Sequence, residues 1–421
     1  MAGLTGCISN DPAKAVGWLK GQPGIAGARV VESSNEELLV TGTTLGELKP
    51  GLSDTQIGAL VDSVQSYTTK HPNVTIELGR NGFAFVVSSD DDTATAIKLW
   101  HAAIKVPKLL GAVTLGNAVN ADVLRADVEP ALDRLLGFGA RVQLNAYIDP
   151  AAANLSTAAG QNLSYVADTD CHPARAVVAF TVSVAKRADI GTGQLQLCDN
   201  LSLTLTPGTS VAATAPALRA DLDRAGLSAF PVNLNNQPDD TANAHTADIT
   251  PGDPSALLVL AGLEVAGAPT MSYELDSDGT VTLTNFTIPV SALLSVVSAA
   301  PGAGALPAVV LQGSDVTVGG TLAQLPALLG EATTLAAASP TLGNVFLTPT
   351  AGSVDLNAAA GADPDVATAA AALKASGAVG SRSFVVKYAA YEVDIAGGVA
   401  TVPSGYTGGE IMTQFADAWN G

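Results

Sequence analysis

Residues 53–90 read SDTQIGALVDSVQSYTTKHPNVTIELGRNGFAFVVSSD. Two periodicities meet in this stretch. Ile57, Leu60, Val61 and Val64 recur at helical spacing, so the first half predicts an amphipathic helix. Ser53 followed by Gln56 supplies a capping box at its start. The second half alternates apolar and polar residues on both sides of Arg80-Asn81-Gly82, and Asn-Gly is the chemistry of a two-residue hairpin turn. One helix followed by one hairpin is the unit from which the rest of the chain is read.

The same order recurs. TATAIKLWHAAIKV, opened by Asp90-Asp91-Asp92, predicts a helix with Ile97, Trp100 and Ile104 on one face. ADVLRADVEPALDRLLG predicts another, ahead of a strand ARVQLNAYI. Later come DPSALLVLAGLEVAG with TMSYELDSDGTVTLTNFTI, PVSALLSVVSAA with AVVLQGSDVTVGGTL, and LAQLPALLGEATTLAAA with NVFLTPTAGSVDLNAAA. DPDVATAAAALKASGA with RSFVVKYAAYEVDIAGG follows, and YTGGEIMTQFADAWNG closes the chain as a helix. Asp11-Pro12, Asp149-Pro150, Asp253-Pro254 and Asp363-Pro364 each precede an Ala-rich segment, as Asp at the N-cap and Pro at the first helical position would.

An α-β-β unit cannot bury its own helix and hairpin, so units must share a sheet. The fold class expected is α+β: repeated α-β-β units pairing into antiparallel sheets with helices on one face, as in ferredoxin-like or split α+β sandwiches. Residues 11–200 form one expected domain and 251–421 a second. The polar and Pro-rich stretch 201–250 reads as an irregular linker. The α-β-β rhythm loosely resembles the BON-type modules of bacterial envelope proteins.

Composition limits function. Of 421 residues 47% are hydrophobic but only 5% aromatic, so the core is built from Ala, Val and Leu. A formal net charge of −19 repels phosphate backbones, which argues against nucleic acid as a partner. Thr280 to Ser314 carry no charge, yet Pro289, Pro301 and Pro307 divide that run, so no spanning helix is expected.

There are three cysteines. Cys171 and Cys198 flank CHPARAVVAFTVSVAKRADIGTGQLQLC, in which VVAFTVSVA and QLQL read as the two strands of a hairpin. Such a hairpin would bring the two thiols together as a disulfide in an oxidising compartment; the alternative is a pair of buried free thiols. Leu4-Thr5-Gly6-Cys7 resembles a bacterial lipobox, the Leu-x-Gly/Ala-Cys site of lipoprotein signal peptides. The resemblance implies lipidation of Cys7 and tethering through a lipid anchor without a spanning helix. The basic and apolar regions that precede a lipobox in that family do not precede Cys7 in this sequence.

Catalytic signatures are absent from the sequence. His71, His101, His172 and His245 are scattered and read as surface residues, with no His-x-x-x-His or Cys-x-x-Cys spacing. No Gly-x-Ser-x-Gly elbow or phosphate-binding glycine loop occurs. Asp90, Asp91 and Asp92, and Asp276 with Asp278, are calcium candidates. However, the acid expected at the end of an EF-hand loop that begins at Asp276 falls on Thr287. No cofactor is expected beyond a structural calcium. The reading that follows is a non-catalytic, exported cell-envelope protein, lipid-anchored, that binds or scaffolds another envelope component or protein. Alternatives are a secreted cell-wall hydrolase and a virion or filament subunit.

Overall fold

A computed structural model describes residues 11–421 except 37–38, 89–91, 148–160, 168–173, 185, 197–198, 237–243, 251–253, 267–270, 359–362, 381 and 404–408. The chain divides into two compact units, Met1–Leu203 and Thr204–Gly421.

In the N-terminal unit α1 (Asp11–Lys20) precedes a series of strand pairs: β1 (Ile25–Glu36) with β2 (Leu39–Leu48), β3 (Val74–Arg80) with β4 (Phe83–Val87), β5 (Leu109–Leu115) with β6 (Ala118–Leu124), β7 (Arg141–Tyr147) with β8 (Gln161–Ala167), and β9 (Ile190–Gln196) with β10 (Asn200–Leu205). The intervening helices are α2 (Asp54–Thr68), α3 (Asp92–Ala103), α4 (Val128–Leu136) and α5 (Arg175–Val184). From β1 to β8 the strands of each pair are antiparallel. The second strand of each of these pairs then joins the first strand of the next in parallel. Parallel neighbours need a crossover connection, and the helices are those crossovers.

The C-terminal unit follows the same rule. Its elements are α6 (Val211–Arg224), β11 (Val232–Asn235), β12 (His245–Thr250), α7 (Pro254–Ala266), β13 (Ser272–Leu275), β14 (Val281–Thr284), α8 (Val290–Ala299), β15 (Val309–Gln312), β16 (Val316–Gly320) and α9 (Leu325–Ala338). Then come β17 (Leu342–Leu347), β18 (Ala351–Leu356), α10 (Val366–Ser376), β19 (Ser383–Tyr388), β20 (Tyr391–Ala396), β21 (Val399–Thr401) and α11 (Glu410–Asn420). Antiparallel hairpins alternate with parallel joins up to β19, and β20 and β21 close the series antiparallel.

The α+β class and the repeated unit are therefore present. The joins between units are parallel, so hairpins line up in chain order instead of interleaving as in a split sandwich. The local signals are those read from sequence. Ser53 accepts from the Gln56 N–H while the Gln56 side chain accepts from the Ser53 N–H, completing the capping box of α2. Asn81 and Gly82 both take positive φ (54° and 81°), the backbone of a type I′ turn.

Strand β3 turns one face to the hydrophobic core. On β3, Val74, Ile76 and Leu78 are buried while Thr75 is exposed and Glu77 half-buried. Ile57, Leu60, Val61 and Val64 of α2 are buried in the same core cluster, together with Phe85 and Trp100, whose rings lie 5.3 Å apart. At the far end of the C-terminal unit the Asn420 side chain pairs with Ala400 of β21. It accepts from the Ala400 N–H and donates to its carbonyl, both at 2.9 Å. A side-chain amide thus occupies the edge that another strand would otherwise use.

Four sequence expectations change. Residues 177–184 of VVAFTVSVA lie in α5, not in a strand. Val177, Val178, Thr181 and Val184 are buried at helical spacing, and β8 and β9, which α5 connects, are parallel neighbours. The helix expected over 121–137 is split: residues 121–124 belong to β6, a single 3₁₀ turn covers Arg125–Asp127, and α4 begins at Val128. Residues 201–250 hold α6, β11 and β12 and are no linker. The cap of α10 is Asp365, accepting from the Thr368 N–H, in place of Asp363.

Candidate functional site

Alternation along β5 to β9 sets two rows of side chains on the sheet face opposite the hydrophobic core. Val113, Asn120, Gln143 and Val166 are successive register partners across β5 to β8. Asp122, Asn145, Ser164 and Gln194 are partners across β6 to β9. With Glu77 and Val86 the first row lines a trough of about 600 Å³. Leu115 at its margin is 52% exposed, although large and apolar.

The second row is fixed by hydrogen bonds. Asn145, buried, donates from Nδ2 to Asn120 Oδ1 at 2.9 Å and to Asp122 Oδ1 at 3.1 Å. The Tyr147 hydroxyl also hydrogen-bonds the Asp122 carboxylate. Burial raises the Asp122 pKa above the usual carboxylate value, against the lowering effect of these two donors. Burial also raises the Tyr147 phenol pKa, and the neighbouring Asp122 charge adds to it. Buried groups in this network hold the exposed Asn120 in place. The trough surface is thus a mixture of aliphatic patches and amide groups with the charged Glu77 and Arg141 among them, suited to binding a partly apolar, hydrogen-bonding ligand.

A second polar cluster lies in the C-terminal unit, and sequence reading missed it. Glu264 of α7 accepts from Ser210 Oγ at 2.7 Å and from the Tyr273 hydroxyl at 3.1 Å. His245 Nδ1 is 3.8 Å from Glu264 Oε1, Nε2 is 3.0 Å from the Met271 carbonyl, and the ring stacks on Tyr273 at 4.1 Å. A Ser, a His and a Glu together invite a nucleophile reading. The connectivity opposes it, because Ser210 gives its proton to the carboxylate and accepts from the Ala213 N–H as the N-cap of α6. The cluster pins α6 to α7. Burial, with Glu264 alongside, pushes the Tyr273 phenol far above its ordinary range.

The residues singled out from sequence fall as follows. Cys7, Cys171, Cys198, His172, Asp90 and Asp91 lie outside the described residues. Asp92 opens α3. Asp276 and Asp278 form the β13–β14 turn, where the Asp276 backbone carbonyl accepts the Gly279 N–H and the Asp278 carboxylate accepts the Thr280 N–H. That backbone bond lowers the Asp278 pKa, whereas burial and the charges of Asp278 and Asp248 raise that of Asp276. Among the described residues no group of three His, Cys, Asp or Glu is arranged to hold a metal. His245 is buried, contrary to the surface position expected. His101 lies 3.5 Å from Asp54, and His71 stacks on Tyr67. No helix among the described residues is long and apolar enough to cross a membrane. No protein-family pattern, curated protein or solved structure matches the chain.

Proposed function

We propose that this protein is a non-catalytic binding or scaffold module of the cell envelope, exported and held by a lipid on Cys7, and that the trough of the N-terminal unit is its working face. The observation that carries the reading is the row Val113–Asn120–Gln143–Val166. Aliphatic and amide side chains stand there on the sheet face turned away from the core, and Asn120 is braced by buried Asn145. Apolar patches interleaved with hydrogen-bonding groups suit a protein or envelope component as partner. The lipobox-like Leu4-Thr5-Gly6-Cys7 and the acidic surface support export and anchoring.

The test is site-specific photo-crosslinking in the native host, with the probe at Val113 or Gln143 and a control probe at exposed Glu129 on α4. Discrete adducts at the two trough positions and none at Glu129 are expected. Trough positions that crosslink no more than the control would overturn the reading. Mass spectrometry of the same material examines the anchor: an unmodified Cys7 with residues 1–6 still attached removes it.

A further inference from the structure

No exposed residue of α7 or α8 is charged. Glu264 is the one charged residue of α7, and it turns to Ser210 and Tyr273, while α8 lies within the uncharged run Thr280–Ser314. Leu258, Ala261 and Val265 of α7 are exposed at helical spacing, so one stripe of the helix faces outward. Leu258 is 68% exposed and Val265 87%. With Phe286, 70% exposed in the segment ahead of α8, they are the three most exposed large apolar residues among the described ones.

The topology brings these residues together. β12 and β13 are parallel, β13 and β14 antiparallel, and β14 and β15 parallel. The crossover helices α7 and α8, which pack side by side, therefore run in opposite directions. The C-terminal end of α7, with Val265, thus lies at the same end of the sheet as Phe286 and the start of α8. The stripe stands on a firmly seated helix. On the inner side of α7, a Cβ added at Gly262 would lie 2.8 Å from Pro301 Cδ and 3.0 Å from the Pro301 carbonyl oxygen, so α7 rests directly on the segment after α8.

We propose that this face is a homodimer interface, in which α7 packs antiparallel on α7 of a second copy about a two-fold axis at Ala261. The stripe is self-complementary. Leu258 precedes Ala261 by about one helical turn, and Val265 follows it by about one turn. In a pair crossing at Ala261, Leu258 of each copy packs beside Val265 of the other, and the small central residue lets the two backbones approach. Charge points to the same occupant. Two chains of net charge −19 repel over most of their surface and meet closely only where charge is absent. A lipid surface fits less well, because interfacial helices carry Lys and Arg beside their apolar face and α7 and α8 have neither. Three large side chains per copy make a small interface, so association in the micromolar range is expected. This surface belongs to the C-terminal unit and is independent of the trough, and failure of either reading leaves the other intact.

Analytical ultracentrifugation of the full chain tests the proposal, at concentrations up to about 200 µM and at low and high salt. A reversible monomer–dimer equilibrium is expected, and it should tighten as salt screens the repulsion between acidic copies. Leu258→Asp and Val265→Asp should each weaken it by about tenfold or more, since each sets a charge in an apolar contact. Both positions are exposed, so the variants should keep the parent's circular dichroism. Oxidative cross-linking locates the axis. Ala261→Cys should form an inter-chain disulfide above the background of the parent's own cysteines, and Ala217→Cys, exposed on α6, should not. The proposal is overturned by a monomer throughout the concentration range, by a dimer that the two Asp variants leave unchanged, or by Ala261→Cys cross-linking no more than Ala217→Cys. Binding of a monomeric chain to phosphatidylcholine vesicles, lost in Leu258→Asp, would also overturn it and reassign the face to lipid.

Discussion

Ser210 at the N-terminus of α6 donates its hydroxyl proton to Glu264 on α7 at 2.7 Å, tying two consecutive helices of the C-terminal unit through one carboxylate. The same carboxylate receives the Tyr273 hydroxyl, and its side chain is only 20% exposed. Removing it strands two donors in a largely dry setting. Glu264→Ala is expected to cost about 2–3 kcal/mol, while Ser210→Ala loses the cap and one of the donors to Glu264, about 1–2 kcal/mol. Urea unfolding followed by circular dichroism measures both. A Glu264→Ala variant as stable as the parent would show that the pin contributes nothing.

Asp122 and Tyr147 make a pH-dependent pair beside the trough. The Asp122 pKa is raised in the folded chain, chiefly by burial. A raised carboxyl stabilises the fold while protonated, and that contribution is lost as pH climbs from the ordinary Asp value through the raised one. Asp122→Asn mimics the protonated form at every pH. The variant should therefore gain stability relative to the parent as pH rises from the ordinary Asp value through the raised one. Removing the charge also withdraws a cause of the raised Tyr147 pKa, so the phenol should titrate lower in the variant, as followed by carbon-13 tyrosine NMR. A variant that loses stability relative to the parent across that window contradicts the assignment.

Two glycines of the N-terminal unit should respond in opposite directions. A Cβ at Gly79 would lie 2.1 Å from the Phe83 carbonyl oxygen and 2.5 Å from the Ala84 Cα, so the β3–β4 hairpin must open to accept it. Gly79→Ala is expected to destabilise by about 3 kcal/mol or more. At Gly58, inside α2, nothing lies within 4 Å of the added carbon. Gly58→Ala should stabilise by roughly 0.5–1 kcal/mol through helix propensity. Thermal melts of the pair make the comparison, and a tolerated Gly79→Ala would refute the close approach.

The local elements were legible where two independent signals agreed. In α2 helical spacing coincides with the Ser53–Gln56 box. At β3–β4 alternation coincides with Asn81-Gly82, whose backbone requirement almost no other dipeptide meets. Where a single signal stood alone it misled. The β-branched run Val177–Val184 satisfies both strand and helix patterns, and only the parallel pairing of β8 with β9 demands a helix there. Residues 121–124 looked helical beside a strong helix, until pairing on both sides made them strand β6.

Ser210 and Glu264 belong to different helices, and the pair leaves no local signature. Short-range physics, acting through side-chain period, caps and turn backbone, is written along the chain and determines the α-β-β repeat. The direction in which one hairpin joins the next, and which side chains meet across helices and strands, depend on contacts between distant residues. Those free energies arise only once the layers pack, so the parallel joins, the trough, the exposed stripe of α7 and the buried Glu264 cluster were decided by the tertiary structure alone.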